Sequence, residues 1–135
     1  MGQVGKVIAN AVSYAAFYAT MEAVAVAMKA GIDIQTAIDI INQGSGANFH
    51  SQKTFPAYII PGRFEGSGAV EIGVKDVGYF LAEAQRLGAE TPMAAHTVKV
   101  GQRGVAAGAP GRDTMTLFHF FCDLAGVPHH TGRKN

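Results

Sequence analysis

The sequence has little net charge and a single cysteine, and both scarcities narrow the classes of protein it can represent. Lys and Arg number 11 against 10 Asp and Glu in 135 residues, so no strong electrostatic field draws the chain to nucleic acids, and we expect no nucleic-acid partner. The one cysteine, Cys122, cannot form an internal disulfide or a thiol pair for metal or redox chemistry. We therefore expect a reducing compartment, the cytoplasm.

The N-terminus lacks the basic stretch, uninterrupted apolar core and cleavage site of a secretory signal. Residues 7–28 are apolar enough to raise the alternative of a membrane span, but Asn10 and Glu22 interrupt them and much of the rest is alanine. An alanine-rich helix that is apolar all round is typical of one buried among other helices. We expect such a buried helix, and no membrane partner.

The sequence also lacks segments that alternate apolar and polar residues with period two, so no β-sheet is predicted. Glycine, proline and capping residues instead divide the chain into helices. The longest covers residues 4–30 and ends at Gly31, and Asp33 caps the next helix. Three further helices cover residues 34–42, 48–60 and 70–87. The fifth helix is capped by Thr91 and has Pro92 in its first turn, and the sixth covers residues 113–124.

Hydrophobic residues make up 48% of the chain, which is ample for a core. We predict an all-α fold of about six helices packed around one long N-terminal helix. Residues 1–128 form this domain, and the polar residues 129–135 are predicted to be a flexible tail.

Two pairs of polar residues are candidates for chemistry. Lys6 and Asn10 are four residues apart, so they project from one face of the first helix about one turn apart. Lys75 and Asp76 stand near the middle of the fourth helix among largely apolar neighbours. From spacing alone, solvated charges and a half-exposed asparagine remain the more common interpretation.

Three segments carry a resemblance to a known family. Residues 2–10, GQVGKVIAN, resemble the motif of the β-hydroxyacid dehydrogenases (3-hydroxyisobutyrate dehydrogenase-like), in which glycine precedes a catalytic lysine by four residues and asparagine follows it by four. Residues 22–33, EAVAVAMKAGID, are similar to the end of the family's long helix. Residues 74–77, VKDV, are similar to its Lys-Asp signature, and order and intervals agree to about residue 105.

The resemblance implies a role for each candidate residue. Lys6 would be the catalytic acid/base, Asn10 and Gly2 would bind substrate, and Lys75 and Asp76 would lie on the cofactor side. A lysine acts as a base only where burial or a second cation disfavours its protonated form. We expect Lys75 to supply that repulsion and Asp76 to limit it.

The chain departs from the family pattern at three points. Gly68 stands where the family often has a bulky aromatic residue, and residues 114–116, TMT, replace a common Asp-x-Ser step. The family's Rossmann domain has no counterpart, because G-x-G-x-x-G occurs nowhere in the sequence. The segment from Gly2 to Lys6 does not replace it, since it lacks the strand, the spacing and the Ser or Thr of a phosphate loop.

The remaining polar residues suggest no further site. The histidines show no metal-ligand spacing with carboxylates or cysteine, so we expect no metal. Glu22 is interpreted as hydrogen-bonded structure, and residues 117–124 as core or interface packing.

Two functions follow as hypotheses. The first is the C-terminal catalytic and dimerisation domain of an NAD(P)-dependent β-hydroxyacid dehydrogenase, inactive without its Rossmann domain. Its full-length form would use NAD or NADP, with none tightly bound to this chain, act on a small β-hydroxy acid, and assemble as a homodimer or homotetramer. The alternative is a non-catalytic helical module for self-association.

Overall fold

The computed structural model describes residues 2–108 and 112–132. Over these residues the only extended pairing is an isolated bridge between Ala69 and Asp113, so the all-α prediction is confirmed. The elements in chain order are α1 (Gly2–Lys29), α2 (Ile34–Asn42), a π-helix (His50–Ile59), α3 (Val70–Arg86), α4 (Pro92–Ala106), a 3₁₀ turn (Thr114–Thr116) and α5 (Leu117–Ala125).

Helix α1 organises the fold, because α2, the π-helix, α3, α4 and α5 all pack on it. Its inward face holds Phe17, Met21 and Val24, which are at most 2% exposed. By length and composition alone, Val4–Lys29 is also long and apolar enough to cross a membrane. Core helices of soluble proteins pass the same test, and the buried inward face agrees with the prediction of a core helix.

The predicted caps are confirmed at α2 and corrected at α4. The carboxylate of Asp33 accepts a hydrogen bond from the Thr36 N–H at 2.9 Å, as a capping aspartate does. Thr91 does precede α4 and Pro92 opens it, but the Thr91 side chain makes no capping bond. Its backbone angles, φ −134° and ψ 72°, lie outside the extended region that aims a capping oxygen at the helix.

The third predicted helix is a π-helix rather than an α-helix. Pro56 lies inside it, has no N–H to donate, and would crowd a carbonyl one turn earlier in an α-helix. The hydrogen bond between residues five apart that defines a π-helix is seen where the Ile60 N–H donates to the Phe55 carbonyl at 2.9 Å. The sixth predicted helix likewise begins with the 3₁₀ turn, which Asp113 caps by accepting from the Met115 N–H.

Close backbone approaches lock α3 and α4 against their neighbours. A Cβ placed on Gly73 would lie 2.6 Å from the Tyr14 ring, and one on Gly101 would lie 2.7 Å from Val74. These glycines are therefore needed for contact with α1 and between the two helices. The result is that α3 lies directly on α1 near Tyr14.

The segment after α5 folds back over the molecule. His130 Nε2 lies 2.8 Å from the Ile60 carbonyl, and His129 Nε2 lies 2.7 Å from Asp123. The backbone at Thr131 packs closely against Gly62. Residues 133–135, the remainder of the predicted tail, lie outside the described residues.

Candidate active site

The inward face of α1 is covered along its length except near its start. Phe17 lies eleven residues after Lys6 and seven after Asn10, so all three project from one side of the helix. Phe17 is 2% exposed, whereas Asn10 is half-buried and Lys6 is exposed. Gly2, the other residue expected to bind substrate, is the first residue of the helix. The described helices therefore leave the expected catalytic end of α1 open.

Helix α3 brings Asp76 toward this end of α1. Gly73 touches the ring of Tyr14, which lies one turn after Asn10. Burial, and then the carboxylate of Asp76, raise the pKa of Tyr14. Because that effect requires proximity, Asp76 lies near the turn that carries Asn10 and Tyr14.

Lys75 is exposed, and its Nζ lies 5.9 Å from the centre of the Tyr79 ring. This is the range of a cation–π contact. Within the described part of the chain, neither Lys75 nor Lys6 forms an ion pair. Both ammonium groups are therefore accessible to a negatively charged ligand, and neither is buried by the chain itself.

A hydrogen-bonded network that spacing did not reveal adjoins the same face of α1. The His50 ring joins two hydroxyls: its Nε2 lies 3.0 Å from Ser13 Oγ, and its Nδ1 lies 3.0 Å from Thr54 Oγ1. The ring stacks on Phe17 at 4.3 Å between centroids. Burial lowers the pKa of His50. The one sequence feature that could have pointed to this network was Ser13, which lies three residues after Asn10 on the same helix face.

Two of the departures from the family pattern, Gly68 and residues 114–116, are in contact with each other. The Thr114 backbone N–H and side-chain hydroxyl both donate to the Gly68 carbonyl, at 2.8 and 3.0 Å. Next to them, Asp113 accepts from the N–H and hydroxyl of Ser67. Although partial burial opposes it, hydrogen bonds from Ser67, Met115 and Gly68 hold the pKa of Asp113 below its usual range. A substitution at Gly68 is therefore expected to affect the conformation of residues 114–116, and the reverse.

No group of three or more His, Cys, Asp or Glu side chains in the described residues is placed to hold a metal ion. An open groove of about 550 Å³ lies between the end of α3 and the start of α4. Its lining is mainly small and apolar and includes Gly78, Leu81, Pro92 and Ala95. The groove has neither the lysines nor the asparagine of the candidate site.

A family model matches residues 1–121, and its description is NAD-binding of NADP-dependent 3-hydroxyisobutyrate dehydrogenase. Two curated relatives are enzymes. A 2-(hydroxymethyl)glutarate dehydrogenase of Eubacterium barkeri is 24% identical over 126 residues, covering 93% of this chain and 42% of that protein. An L-threonate dehydrogenase of Cupriavidus necator is 27% identical over 103 residues, covering 76% of this chain and 34% of that protein.

Solved structures share the fold. The 3-hydroxyisobutyrate dehydrogenase of Mycobacterium tuberculosis, with L-serine, superposes with a TM-score of 0.73 at 23% identity, over 86% of this chain and 42% of that one. The 3-hydroxyisobutyrate dehydrogenase of Salmonella typhimurium gives 0.69 at 24% identity, over 85% and 40%. This chain thus spans less than half the length of each of these four proteins.

Proposed function

This chain belongs to the family described as NAD-binding of NADP-dependent 3-hydroxyisobutyrate dehydrogenase, and from that premise we propose that it is the catalytic and dimerisation domain of an NAD(P)-dependent β-hydroxyacid dehydrogenase. The observation that carries the proposal is the open end of α1. On one helix face, Lys6 is exposed and Asn10 and Ser13 are half-buried, whereas Phe17 and Met21 further along are fully buried. Such a partly open face fits a site that a Rossmann domain completes from the other side.

The chemistry fits this division. A bound nicotinamide dinucleotide supplies the hydride acceptor. Neutral Lys6 takes the proton of the substrate hydroxyl as the carbon that bears this hydroxyl is oxidised. Asn10 and Gly2 hold the substrate against Lys6. Because Lys6 is exposed in this chain, the burial that a lysine base needs must come from the covering domain, the substrate and the cofactor.

The chain fits only the nicotinamide end of the cofactor. Lys75 offers an exposed cation on α3, and Asp76 lies next to it near α1. The sequence has no glycine-rich phosphate loop, so the pyrophosphate and ribose must be held elsewhere. We therefore propose that this chain binds NAD or NADP weakly by itself and that cofactor choice resides in the Rossmann domain.

A second face of α1 supports self-association. Its outer side carries exposed apolar and small residues that recur at helical spacing: Ile8, Val12, Ala19, Ala23 and Val26. We call these five residues the outer stripe. Ile8, Val12 and Val26 are 49–67% exposed, and exposed apolar rows of this kind are typical of interfaces. We propose that two copies associate through it, whether or not the chain is catalytic.

One assay distinguishes the dehydrogenase domain from the alternative, a non-catalytic module for self-association. The chain is incubated with NAD or NADP and 3-hydroxyisobutyrate, 2-(hydroxymethyl)glutarate or L-threonate, alone and joined to the Rossmann domain encoded upstream in frame. We expect no reduction of NAD(P) by residues 1–135 alone and turnover by the joined protein. A gene with no such domain, or a joined protein without turnover, favours the self-association module.

A further inference from the structure

Ser13 stands where the covered and open parts of the inward face of α1 meet. It lies three residues after Asn10 and seven after Lys6, so the three side chains form a row along one side of the helix. At about 1.5 Å per residue, Ser13 is about 4.5 Å beyond Asn10 along the helix axis and about 10 Å beyond Lys6. Ser13 is half-buried, so a ligand in the open part can reach its hydroxyl.

The hydroxyl of Ser13 is held by a side chain that is itself fixed. His50 is 9% exposed and lies between Phe17, with which it stacks, and Phe49, whose ring meets it edge-on at 5.5 Å. Thr54 occupies the second ring nitrogen at 3.0 Å. The imidazole therefore has little freedom to rotate, and it fixes the position of the Ser13 oxygen.

Burial lowers the pKa of His50, so the ring is neutral at pH 7. A neutral imidazole has one donor and one acceptor nitrogen. Ser13 and Thr54 therefore play opposite donor and acceptor roles toward it. When Ser13 accepts from Nε2–H, its own proton is available for donation to a ligand. A hydroxyl oriented in advance binds a ligand without losing further rotational freedom.

We propose that Ser13 is a third substrate-contacting side chain on α1, positioned by His50 and Thr54, and that it selects β-hydroxy acids carrying a second oxygen-bearing group remote from the reacting carbon. This inference rests on the proposed function. Lys6 serves the reacting hydroxyl, Asn10 lies in the middle of the row, and Ser13 meets the remote end. A substrate whose remote carboxylate is four bonds from the carbinol carbon has the length to use the row.

Two substrates test the selection because they differ at that end alone. 2-(Hydroxymethyl)glutarate and 3-hydroxyisobutyrate share the primary alcohol and the α-carboxylate, but only the first has a remote carboxylate. In the enzyme formed with the Rossmann domain, Ser13→Ala should lower kcat/KM for 2-(hydroxymethyl)glutarate about tenfold or more, mainly through KM, because one hydrogen bond to a charged group is lost. The same variant should change 3-hydroxyisobutyrate oxidation less than about twofold.

Ser13→Thr retains the hydroxyl and should keep the selectivity that Ser13→Ala loses, whereas the loss of a purely structural hydroxyl would affect both substrates alike. Thr54→Val should reduce selectivity in the same direction, and ¹⁵N NMR of residues 1–135 should show its effect on the His50 ring, which in the wild type has one protonated and one bare nitrogen. Equal losses for both substrates, or no loss, overturn the role of Ser13 while leaving the proposed function intact. A wild-type enzyme that oxidises neither substrate overturns the proposed function itself.

Discussion

At the scale of single residues, the contact between Gly73 and Tyr14 decides how the candidate site is assembled. It sets α3 against α1 and thereby brings Asp76 close to the turn that carries Asn10. Any side chain at position 73 would overlap the Tyr14 ring, whose edge lies 2.6 Å from the built Cβ. Tyr14 is also a packing residue of the core, so it has little room to move.

Gly73→Ala should therefore destabilise the protein by about 1–3 kcal/mol, as overpacking does. Gly78→Ala is the matched control in the same helix, because a Cβ there meets nothing within 4 Å. It should be neutral or stabilising by up to about 1 kcal/mol, since alanine is the better helix former. Urea denaturation of both variants measures the difference. Equal stability of the two would show that the Tyr14 contact does not constrain α3.

The site residues divide into those that a sequence reveals and those that only folding brings together. Lys6 and Asn10 are four residues apart on one helix, so their proximity follows from helical periodicity, and their proposed chemical roles come from the resemblance. Ser13 and His50 are separated by 37 residues, and no local pattern links them. Their contact depends on how the π-helix crosses α1, which spacing does not encode.

At the scale of elements, helix positions were predictable because glycine and proline interrupt the chain at short intervals. The predicted helices agree with the structure in number and closely in bounds. The type of the third helix was not predictable from apolar periodicity, because a π-helix and an α-helix share similar composition. Pro56 was the local sign that an α-helical ladder would be interrupted.

Two partly buried histidines with lowered pKa values should make the packing of these elements sensitive to pH. His50 connects the π-helix to α1, and burial lowers its pKa. In α5, burial and then neighbouring His129 lower the pKa of His119, whose ring stacks on His129 at 4.4 Å. Asp123 opposes that shift, while Arg112 and His130 add to it.

Because both histidines bind protons more readily when unfolded, their contribution to stability is complete above the unfolded value of about 6.5 and falls as the pH drops below it. The free energy of unfolding should therefore decrease from pH 7.5 to pH 5. His119→Gln should reduce this dependence. Urea denaturation across this range is the measurement. A stability that is constant or rises toward pH 5 contradicts the account.

At the scale of the whole molecule, α1 has two faces in different surroundings. The inward face forms the core and then the candidate site, while the outer stripe is left without a partner in the described chain. A helix that buries one face against its own chain and exposes an apolar row on the other is suited to association with a second copy. This arrangement applies equally to the enzyme domain and to the self-association module.

Val12→Asp places a charge in the middle of the outer stripe, where the side chain is 67% exposed. It should weaken association by at least about tenfold, which corresponds to about 1.4 kcal/mol, without unfolding the chain. Met93→Glu, at a position on α4 that is 75% exposed, is the control for adding charge outside the stripe. Sedimentation equilibrium reports the association constant. A Val12→Asp variant that associates like the wild type would exclude this face as the interface.

We propose that Lys6 is the acid/base of an oxidation completed by a Rossmann domain, and replacing Lys6 in the joined enzyme is the decisive experiment. Lys6→Ala should lower kcat/KM for NAD(P)-linked oxidation of a β-hydroxy acid by about 10²–10⁴-fold. Lys6→Arg should fail similarly, because a guanidinium stays protonated. Circular dichroism should be unchanged, since Lys6 is exposed. Activity of Lys6→Ala within about threefold of wild type would contradict the account.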